Sequence, residues 1–282
     1  MKCGGCDYLH TDYRTELEFK KNIIKDSIRR IGRFDFNSEI TTYASERYGY
    51  RSRCSVKSNG NQTGFYGKKS NTVIPFPEQG CILLDDAINR FIQNNRITQD
   101  CRISRDSKGC ITNTYSAEII EKELDFTYYH NSENFFQSNR FLRPKMLELV
   151  IEQSDGFTQA IDLGCGCGFF TIPLSKKMKI TGIDISTESI ASAKKNNVEN
   201  GTDAKFIRCD MDSIPDSIKT ADLIVTDPPR AGMNSKARGI IKKISPEKII
   251  YVSCNPSTWA RDAGDLIKSG FKLESVDLID MF

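Results

Sequence analysis

The run AIDLGCGCGFF, from Ala160 to Phe170, joins a predicted buried strand to a predicted helix through three closely spaced glycines. At Gly164, Gly166 and Gly168 the backbone can turn tightly and approach a ligand with no side chain in the way. A G-x-G-x-G spacing alone is also compatible with an ordinary turn between a strand and a helix. The neighbouring segments must therefore decide between a ligand-binding loop and a plain turn.

Acidic residues follow the next two predicted strands. Asp184 ends the strand in TGIDIS, where a carboxylate can accept hydrogen bonds from ribose hydroxyls, and Asp210 in FIRCDMDS follows the third strand, where an adenine amino group is expected. A dinucleotide-binding loop would more usually carry G-x-G-x-x-G, with the pyrophosphate at the helix N-terminus. The pattern therefore favours a neutral nucleoside over a diphosphate.

Short apolar runs alternate with helical segments from about residue 141 onward, which predicts a parallel sheet built from βαβ units. Between about residues 40 and 129 the strand-like pieces are shorter, and SNGN around Gly60 is a hairpin signal. This earlier region predicts a mixed α/β domain. The strands expected in the later region are Ala160–Leu163, Ile180–Asp184, Lys205–Arg208, Leu223–Thr226, Lys248–Ser253 and Leu273–Leu278.

The composition is that of an ordinary globular protein, with 38% hydrophobic and 27% charged residues in a chain of 282. No run approaches the roughly 18 apolar residues that a membrane span requires. The N-terminal MKCGGCDYLH has no apolar core of the secretory type, so we expect a cytoplasmic protein with reduced thiols. A net charge of +3 permits a polyanionic partner without demanding one.

A basic amphipathic helix is predicted from Tyr13 to Gly32. Its apolar face comprises Leu17, Ile24, Ile28 and Ile31, and its basic residues are Lys20, Lys21, Lys25, Arg29 and Arg30. Two interpretations stay open for the basic residues, a solvated charged surface or a surface that contacts RNA.

Two further strand ends carry reactive groups. The fourth strand leads into TDPPRAG, with Asp227, and the fifth into SCNPSTWARD, with Cys254. Carboxyl ends of parallel strands meet at one edge of the sheet, so both side chains could face one pocket. Because Pro256 suits the first turn of a helix, Cys254 would lie just ahead of backbone amides that favour a thiolate. The alternative is a small buried apolar side chain, as most cysteines are.

A nucleophilic thiol beside a methyl donor suits methylation of carbon 5 of uracil. That carbon is too poor a nucleophile to accept a methyl group unaided. Addition of a thiolate at carbon 6 converts the ring into an enolate with electron density on carbon 5. Methyl transfer, removal of the carbon 5 proton and expulsion of the thiol would follow.

These residues resemble the RNA uracil-5-methyltransferase family, whose members make 5-methyluridine in transfer and ribosomal RNA. The similarity extends from CGGC to the final DMF, and SCNP followed by ARD is its most specific signal. It implies S-adenosylmethionine as the cofactor and RNA as the partner, and we expect a monomer. It also implies an α/β architecture, with a Rossmann-like class I methyltransferase domain and a smaller N-terminal mixed α/β domain.

The resemblance also assigns roles to individual residues. FFQSN, from Phe135 to Asn139, matches the family segment F-x-Q-x-N and implies that Gln137 contacts the cofactor. Cys254 becomes the nucleophile, and Asp227 becomes a catalytic residue between cofactor and uracil; Asn139 and Arg230 support the pocket. The implied cofactor-binding residues are Gln137, Asp162, Gly164, Gly166, Gly168, Asp184, Asp210 and Asp227.

A cysteine motif distinguishes one branch of the family. The ribosomal RNA enzymes carry a 4Fe-4S cluster on four cysteines, and Cys3, Cys6 and Cys81 match three of them. A C-x-x-C pair can also bind zinc or nothing. No counterpart of the first cysteine is present, because the sequence starts at Met1. The resemblance thus favours ribosomal over transfer RNA and implies metal ligation by these three thiols.

The expected organisation has three parts. Residues 1–40 form the cysteine motif and basic helix, residues 41–130 a central mixed α/β domain, and residues 131–282 the methyltransferase domain. In the family, DMF continues into a loop with a glutamate base and then a last strand. This sequence ends at Phe282, so we expect a six-stranded sheet that lacks the last strand.

Other functions stay open at this stage. A non-catalytic RNA-binding relative would keep the fold without turnover, and an amino-group methyltransferase would use DPP without a thiol. For RNA contact, we expect phosphates at the basic helix and at Arg51, Arg53, Lys68 and Lys69. Candidate surfaces for base stacking are Tyr48, Tyr50, Phe65 and Tyr66.

Overall fold

A computed structural model describes residues 3–114, 116–215, 218 and 220–282. The helices are α1 Tyr13–Ser27, α2 Asp86–Asn94, α3 Arg143–Gln153, α4 Thr171–Leu174, α5 Thr187–Glu199, α6 Ser235–Ile244 and α7 Pro256–Ile267, with a π-helical turn at Ile28–Gly32. The strands are β1 Thr41–Tyr43, β2 Arg53–Ser58, β3 Thr63–Tyr66, β4 Val73–Pro75, β5 Cys101–Arg105, β6 Ile111–Thr112, β7 Glu118–Glu123, β8 Phe126–Asn131, β9 Gln159–Leu163, β10 Lys179–Asp184, β11 Lys205–Arg208, β12 Leu223–Thr226, β13 Lys248–Tyr251 and β14 Asp277–Ile279.

The chain divides into two compact units that are interleaved in sequence. The smaller unit comprises Met1–Glu16, Ala44–Pro144 and Asp280–Phe282. The larger unit comprises Leu17–Tyr43 and Lys145–Ile279. Among the described residues, each unit has one five-stranded sheet and one two-stranded sheet, which is β1-β14 in the larger unit and β7-β8 in the smaller unit.

A parallel sheet organises the larger unit. Its described strands lie in the order β11-β10-β9-β12-β13, and every pairing between neighbours is parallel. The four residues of interior strand β12 are all buried, as expected for a strand with helices on both faces. This arrangement confirms the Rossmann-like α/β prediction, and the first five predicted strands lie within two residues of the observed bounds.

The order of the strands reverses between β9 and β12. From β9 the chain proceeds outward through β10 and β11, and it then returns to the other side of β9 for β12 and β13. Open α/β sheets bind ligands at the carboxyl ends of the strands that flank such a reversal. The loops that follow Leu163 and Thr226 therefore border the crevice.

The predicted sixth strand of this sheet is wrong. The region Leu273–Leu278 yields β14, which is shorter and pairs in parallel with β1 outside the five-stranded sheet, with Thr42 opposite Leu278. The reason is apolar packing: Val276 and Leu278 lie against a cluster formed by Ile24, Ile28 and Ile40 with its neighbours. The sequence pattern shows that the segment is extended, but it does not show which strand is its partner.

The basic helix is present over the predicted range, but its last five residues form the π-helical turn. Ile24 and Ile28 are buried as predicted, whereas Ile31 is 44% exposed. Because a π turn is wider than an α turn, it rotates Ile31 away from the apolar face. Arg33 then ends the segment with φ of 57° and donates its backbone N–H to Ile28 O at 2.8 Å.

An antiparallel sheet forms the smaller unit, with described strands in the order β4-β3-β2-β5-β6. The predicted hairpin is confirmed, since Ser58 of β2 pairs with Thr63 of β3. In the turn Gly60 has φ of 87°, and the side chain of Asn59 accepts from the backbone N–H groups of Asn61 and Gln62. The buried cluster of this sheet comprises Cys54, Val56, Leu84, Ile88 and Ile103.

Among the described residues, none of the helices combines the length and apolarity that crossing a lipid bilayer requires.

Helix α7 lies unusually close to the π-helical turn within the larger unit. A Cβ atom added at Gly264 would be 2.3 Å from the carbonyl oxygen of Gly32, a distance that real contacts do not allow. The two glycines therefore set how closely the helix and the turn pack.

We predict that Gly264→Ala destabilises the protein by about 1–3 kcal/mol, because the added methyl group forces these backbones apart. Gly239→Ala is the matched control, since Gly239 lies in α6 and a Cβ there meets nothing within 4 Å. This control should stabilise by about 0.5–1 kcal/mol through helix propensity. Urea unfolding of both variants measures the difference, and equal stability of the two would contradict the packing argument.

Candidate active site

The glycine loop after β9 presents bare backbone to open space. Gly164 and Cys165 both donate their N–H groups to Ile183 O, at 2.8 and 2.9 Å, which fixes the start of the loop on β10. Gly164 and Gly166 have φ of 82° and 54°, and a Cβ at Gly166 would meet nothing within 4 Å. The loop therefore forms a cradle that a side chain would fill, as a bound cofactor requires.

Asp184 lies beside this loop at the end of β10. Its Oδ2 accepts from Gly166 N at 2.9 Å, and its Oδ1 accepts from Ser186 N at 2.8 Å. Each carboxylate oxygen can accept more than one hydrogen bond. The same group can therefore hold the glycine loop and also bind hydroxyl groups of a ligand.

Asp162 is fully buried beneath the loop. Its Oδ2 accepts from Thr171 Oγ1 at 2.6 Å, while its Oδ1 has no hydrogen-bond partner among the described residues. Burial raises the pKa of Asp162 to about 7; the hydrogen bond from Thr171 opposes this rise, whereas the nearby Asp227 and Asp184 add to it. Three carboxyl groups at one sheet edge favour a positively charged ligand.

Two further candidate cofactor contacts follow β10 and β11, and only one of them, Asp210, was predicted from the sequence. Asp210 is half-buried two residues beyond β11, and its Oδ1 accepts from Asp212 N at 3.2 Å. Ile185, which directly follows Asp184, is 61% exposed despite being apolar. Ile185 is not among the predicted site residues. Its position directly after the strand-terminal Asp184 in TGIDIS could have indicated an apolar contact with a ligand.

The loop after β12 lies against the glycine loop. A Cβ at Gly164 would be 3.4 Å from the backbone oxygen of Asp227, so the two backbones are in close contact. Asp227 is half-buried directly after β12. The structure thus brings Gly164, Asp184, Asp162 and Asp227 close together, and their binding of a cofactor stays a prediction.

Cys254 is an exposed free thiol between β13 and α7. Asn255 caps α7 by accepting from Ser257 N at 3.1 Å, and Pro256 occupies the first turn. Cys254 is therefore placed immediately before a helix N-terminus, where the partial positive charge of the backbone favours an anion. Its exposure rules out the alternative of a small buried apolar side chain.

Hydrogen bonds join the loop of Asp227 to the helix that follows Cys254. The carbonyl oxygen of Arg230 accepts from Asn255 Nδ2 at 3.2 Å and from Thr258 Oγ1 at 3.1 Å. Arg230 therefore acts through its backbone, while its side chain is exposed. The thiol and the carboxylate lie on two loops that are fixed to one another.

Gln137 and Asn139 belong to the smaller unit. Gln137 is half-buried and its carbonyl accepts from Arg143 Nη1 at 3.3 Å, so its contact with a cofactor stays a prediction. Asn139 is 1% exposed and donates to the carbonyl oxygens of Asp280 and Met281, at 3.2 and 3.4 Å. These bonds give Asn139 a structural role within its unit.

Several predicted RNA contacts have other roles in the smaller unit. Arg53 donates to the carbonyl oxygens of Ser132 and Asn134, at 2.9 and 2.7 Å, so its guanidinium is largely engaged. Tyr50 is only 6% exposed, and Phe65 packs edge-to-face on another ring. The exposed candidates for base stacking are Tyr48 and Tyr66, which are 43% and 39% exposed.

The predicted metal ligands are close enough to influence one another. Burial raises the pKa of Cys6, and the thiols of Cys3 and Cys81 raise it further. Cys3 Sγ already accepts from Gly5 N at 3.4 Å. Within the part of the chain that the structure describes, however, no group of three His, Cys, Asp or Glu side chains is arranged to hold a metal ion.

Comparisons with known proteins agree with this geometry. The model of a family described as a methyltransferase domain matches residues 154–279. A protein of Aquifex aeolicus named an uncharacterised RNA methyltransferase is 30% identical, over all of this chain and 79% of its own length. A Clostridium tetani protein with the same name is 28% identical, over all of this chain and 78% of its own length.

A solved structure has the same fold. The Pyrococcus abyssi tRNA (uracil-54, C5)-methyltransferase, in complex with S-adenosyl-L-homocysteine, superposes with a TM-score of 0.77 and 22% sequence identity. The match covers 99% of this chain and 83% of the other chain. Together with the glycine cradle and its carboxylates, the relationship to the Aquifex aeolicus protein shows that this chain belongs to the RNA methyltransferase family.

Proposed function

We propose that this protein transfers a methyl group from S-adenosylmethionine to carbon 5 of a uridine in RNA, through a covalent bond between Cys254 and carbon 6. The observation that carries this proposal is the exposed thiol of Cys254 at the start of α7, on a loop bonded to the loop of Asp227. An RNA methyltransferase that acts on an exocyclic amino group needs no thiol at this point.

The residues around the glycine loop fit S-adenosylmethionine. Asp184 can accept from the ribose hydroxyls, Asp210 from the adenine amino group, and Ile185 can cover the adenine ring. The carboxylates of Asp162 and Asp227 would stabilise the positive charge on the methionine part of the cofactor, and Asp162 has one oxygen without a hydrogen-bond partner among the described residues. The match of FFQSN to the family segment supports Gln137 as a further cofactor contact. When bound, the cofactor supplies an electrophilic methyl group on a sulfonium.

Cys254 supplies the activation that the uracil ring needs. Its thiolate adds to carbon 6, and the electron pair of the double bond between carbons 5 and 6 moves into an enolate. Carbon 5 then forms its bond to the methyl group while the bond from that group to the sulfonium sulfur breaks, and the electron pair stays on sulfur in the departing thioether. A general base removes the carbon 5 proton, the bond between sulfur and carbon 6 breaks, and the double bond is restored. Asp227 faces the reacting groups from the neighbouring loop.

The target uridine must leave its stack to reach this pocket. Ribosomal RNA is the preferred substrate class in our proposal, because of CGGC, and the protein acts as a monomer. Phosphate contacts come from the exposed part of the basic helix, although Arg29 and Arg30 already pair with Asp26 at 2.9 and 3.7 Å. Such contacts make binding dependent on salt.

We predict that Cys254→Ser abolishes transfer of tritium from labelled S-adenosylmethionine to carbon 5 of uridine in unmodified ribosomal RNA. It should also remove a band of slow mobility, the covalent RNA complex, from a denaturing gel. Cys110→Ser is the control, because Cys110 is likewise an exposed free thiol but lies in the smaller unit. Full activity of Cys254→Ser would favour an amino-group methyltransferase; absence of both label and band in the wild type would favour a non-catalytic RNA-binding protein.

We predict that Asp184→Asn weakens binding of S-adenosylhomocysteine about 10- to 100-fold, the cost of one hydrogen bond to a charged group. The control is Asp222→Asn. Asp222 lies directly before β12, at the amino end of the same sheet, and accepts from Thr158 Oγ1 at 2.8 Å. Calorimetric titration measures both affinities. Equal affinities for the two variants would exclude Asp184 from the cofactor site.

We also propose Cys3, Cys6 and Cys81 as ligands of a 4Fe-4S cluster. The thiols of Cys3 and Cys81 are near enough to Cys6 to raise its pKa, which supports the proposal, whereas among the described residues the present arrangement forms no closed metal site. Protein purified without oxygen should contain iron and sulfide, and Cys81→Ser should lose both. Cys101→Ser, a partly buried thiol elsewhere in the smaller unit, should retain them. A colourless, iron-free wild type would contradict the cluster.

A further inference from the structure

A buried carboxylate in α7 accepts hydrogen bonds from three separate segments of the larger unit. Asp262 has no exposed surface. Its Oδ2 accepts from Tyr251 Oη at 2.8 Å and from the backbone N–H of Met233 at 2.7 Å. Burial and the bond to Asp262 raise the pKa of Tyr251, so the phenol keeps its proton and donates it.

Two guanidinium groups compensate the negative charge. Oδ1 of Asp262 accepts from Arg238 Nη1 and from Arg261 Nε, both at 2.9 Å. The same side chains reach further: Arg238 donates to Met233 O at 2.6 Å, and Arg261 donates to Ala231 O at 3.0 Å. Each of the two carboxylate oxygens accepts two hydrogen bonds. These four bonds offset the free-energy cost of removing the charged group from water.

Only glycine fits at position 232, beside this carboxylate. Gly232 has φ of 74°, and an added Cβ would be 2.5 Å from Asp262 Oδ2 and 2.8 Å from Arg261 Nη2. The loop that begins at Asp227 therefore closes directly over the carboxylate. Its conformation is fixed by Asp262 rather than by apolar packing alone.

The residues that form these bonds lie on both sides of the proposed nucleophile in the sequence. Cys254 lies between Tyr251, which ends β13, and Asp262, which lies in α7. The hydrogen bond between Tyr251 and Asp262 thus closes the loop that carries the thiol. The bonds to Met233 and Ala231 fix the end of the loop that begins at Asp227. Directional hydrogen bonds restrict distances more narrowly than apolar contacts do.

We propose that Asp262 and Tyr251 are positioning residues, which fix the position of the Cys254 thiol relative to the loop of Asp227. Neither residue contacts the substrate. The inference rests on the proposed function, because it concerns the step in which the thiol adds to carbon 6. It assigns a role to Asp262, the last residue of SCNPSTWARD, although this buried residue lies outside the pocket.

Tyr251→Phe tests the proposal, since it removes one hydroxyl group and keeps the ring. The expected result is a fall in kcat of about 10- to 100-fold, with unchanged KM for RNA and unchanged affinity for S-adenosylhomocysteine. Tyr13→Phe is the matched control. Tyr13 Oη donates to Asp280 Oδ2 at 2.7 Å, the same type of bond in the smaller unit. Its kcat should stay at the wild-type value.

Two further measurements separate positioning from a loss of stability or of thiol reactivity. Both tyrosine variants should lower Tm by a similar amount, about 2–4 °C. Alkylation of Cys254 by iodoacetamide without RNA should proceed at wild-type rate in Tyr251→Phe, because the small reagent needs no alignment. Asp262→Asn should show a larger loss of kcat, since its amide N–H groups would face Arg238 and Arg261.

The outcomes distinguish the two proposals. If the wild type methylates uridine and Tyr251→Phe retains its kcat while Tm falls as in the control, the positioning role is overturned and the proposed function stands. If the wild type forms no covalent complex and no 5-methyluridine, both proposals fail. A selective loss of kcat in Tyr251→Phe, with normal alkylation, supports the positioning role.

Discussion

The reversal of strand order between β9 and β12 is the constraint on which the rest of the larger unit depends. Helices cover both faces of a parallel sheet, but at this reversal the two connections leave in opposite directions, and a crevice stays open at the carboxyl edge. The glycine loop and the loop of Asp227 border it in close contact. Backbone that can approach a ligand and carboxylates that can bind it are thereby placed together.

Electrostatics then limit what the crevice can hold. Burial raises the pKa of Asp162 to about 7, and the nearby carboxylates of Asp227 and Asp184 raise it further. A diphosphate would add negative charge to this edge, whereas a sulfonium with an amino group relieves it. The start of α7 differs in character, because there the exposed thiol of Cys254 directly precedes the backbone N–H groups of a helix N-terminus. The carboxylates and the exposed thiol thus lie on loops that are hydrogen-bonded to one another or in close contact.

Local patterns predicted much of this arrangement, and long-range pairing explains most of what they missed. Apolar runs predicted β9 to β13 because helices cover both faces of a parallel sheet. The interior strands β9 and β12 are almost wholly buried, and the edge strands β11 and β13 are only half-buried or exposed. The partner of β14 and the exposure of Ile31 depend on packing between segments distant in sequence and on a π-helical turn, which no local pattern specifies. The site residues followed from strand ends and glycines. Ile185, Asp262 and the internal use of Arg53 did not, because their roles depend on neighbours that only the folded chain supplies.

The pairing of β1 with β14 has a consequence for how the protein is made. Thr41 and Asp277 are opposite one another although most of the chain separates them. Closing so long a loop costs entropy, and contacts of high sequence separation slow folding. During synthesis, β1 emerges from the ribosome long before its partner, with one edge unsatisfied. The pairing of β1 with β14 can therefore form only after nearly the whole of the larger unit has been synthesised.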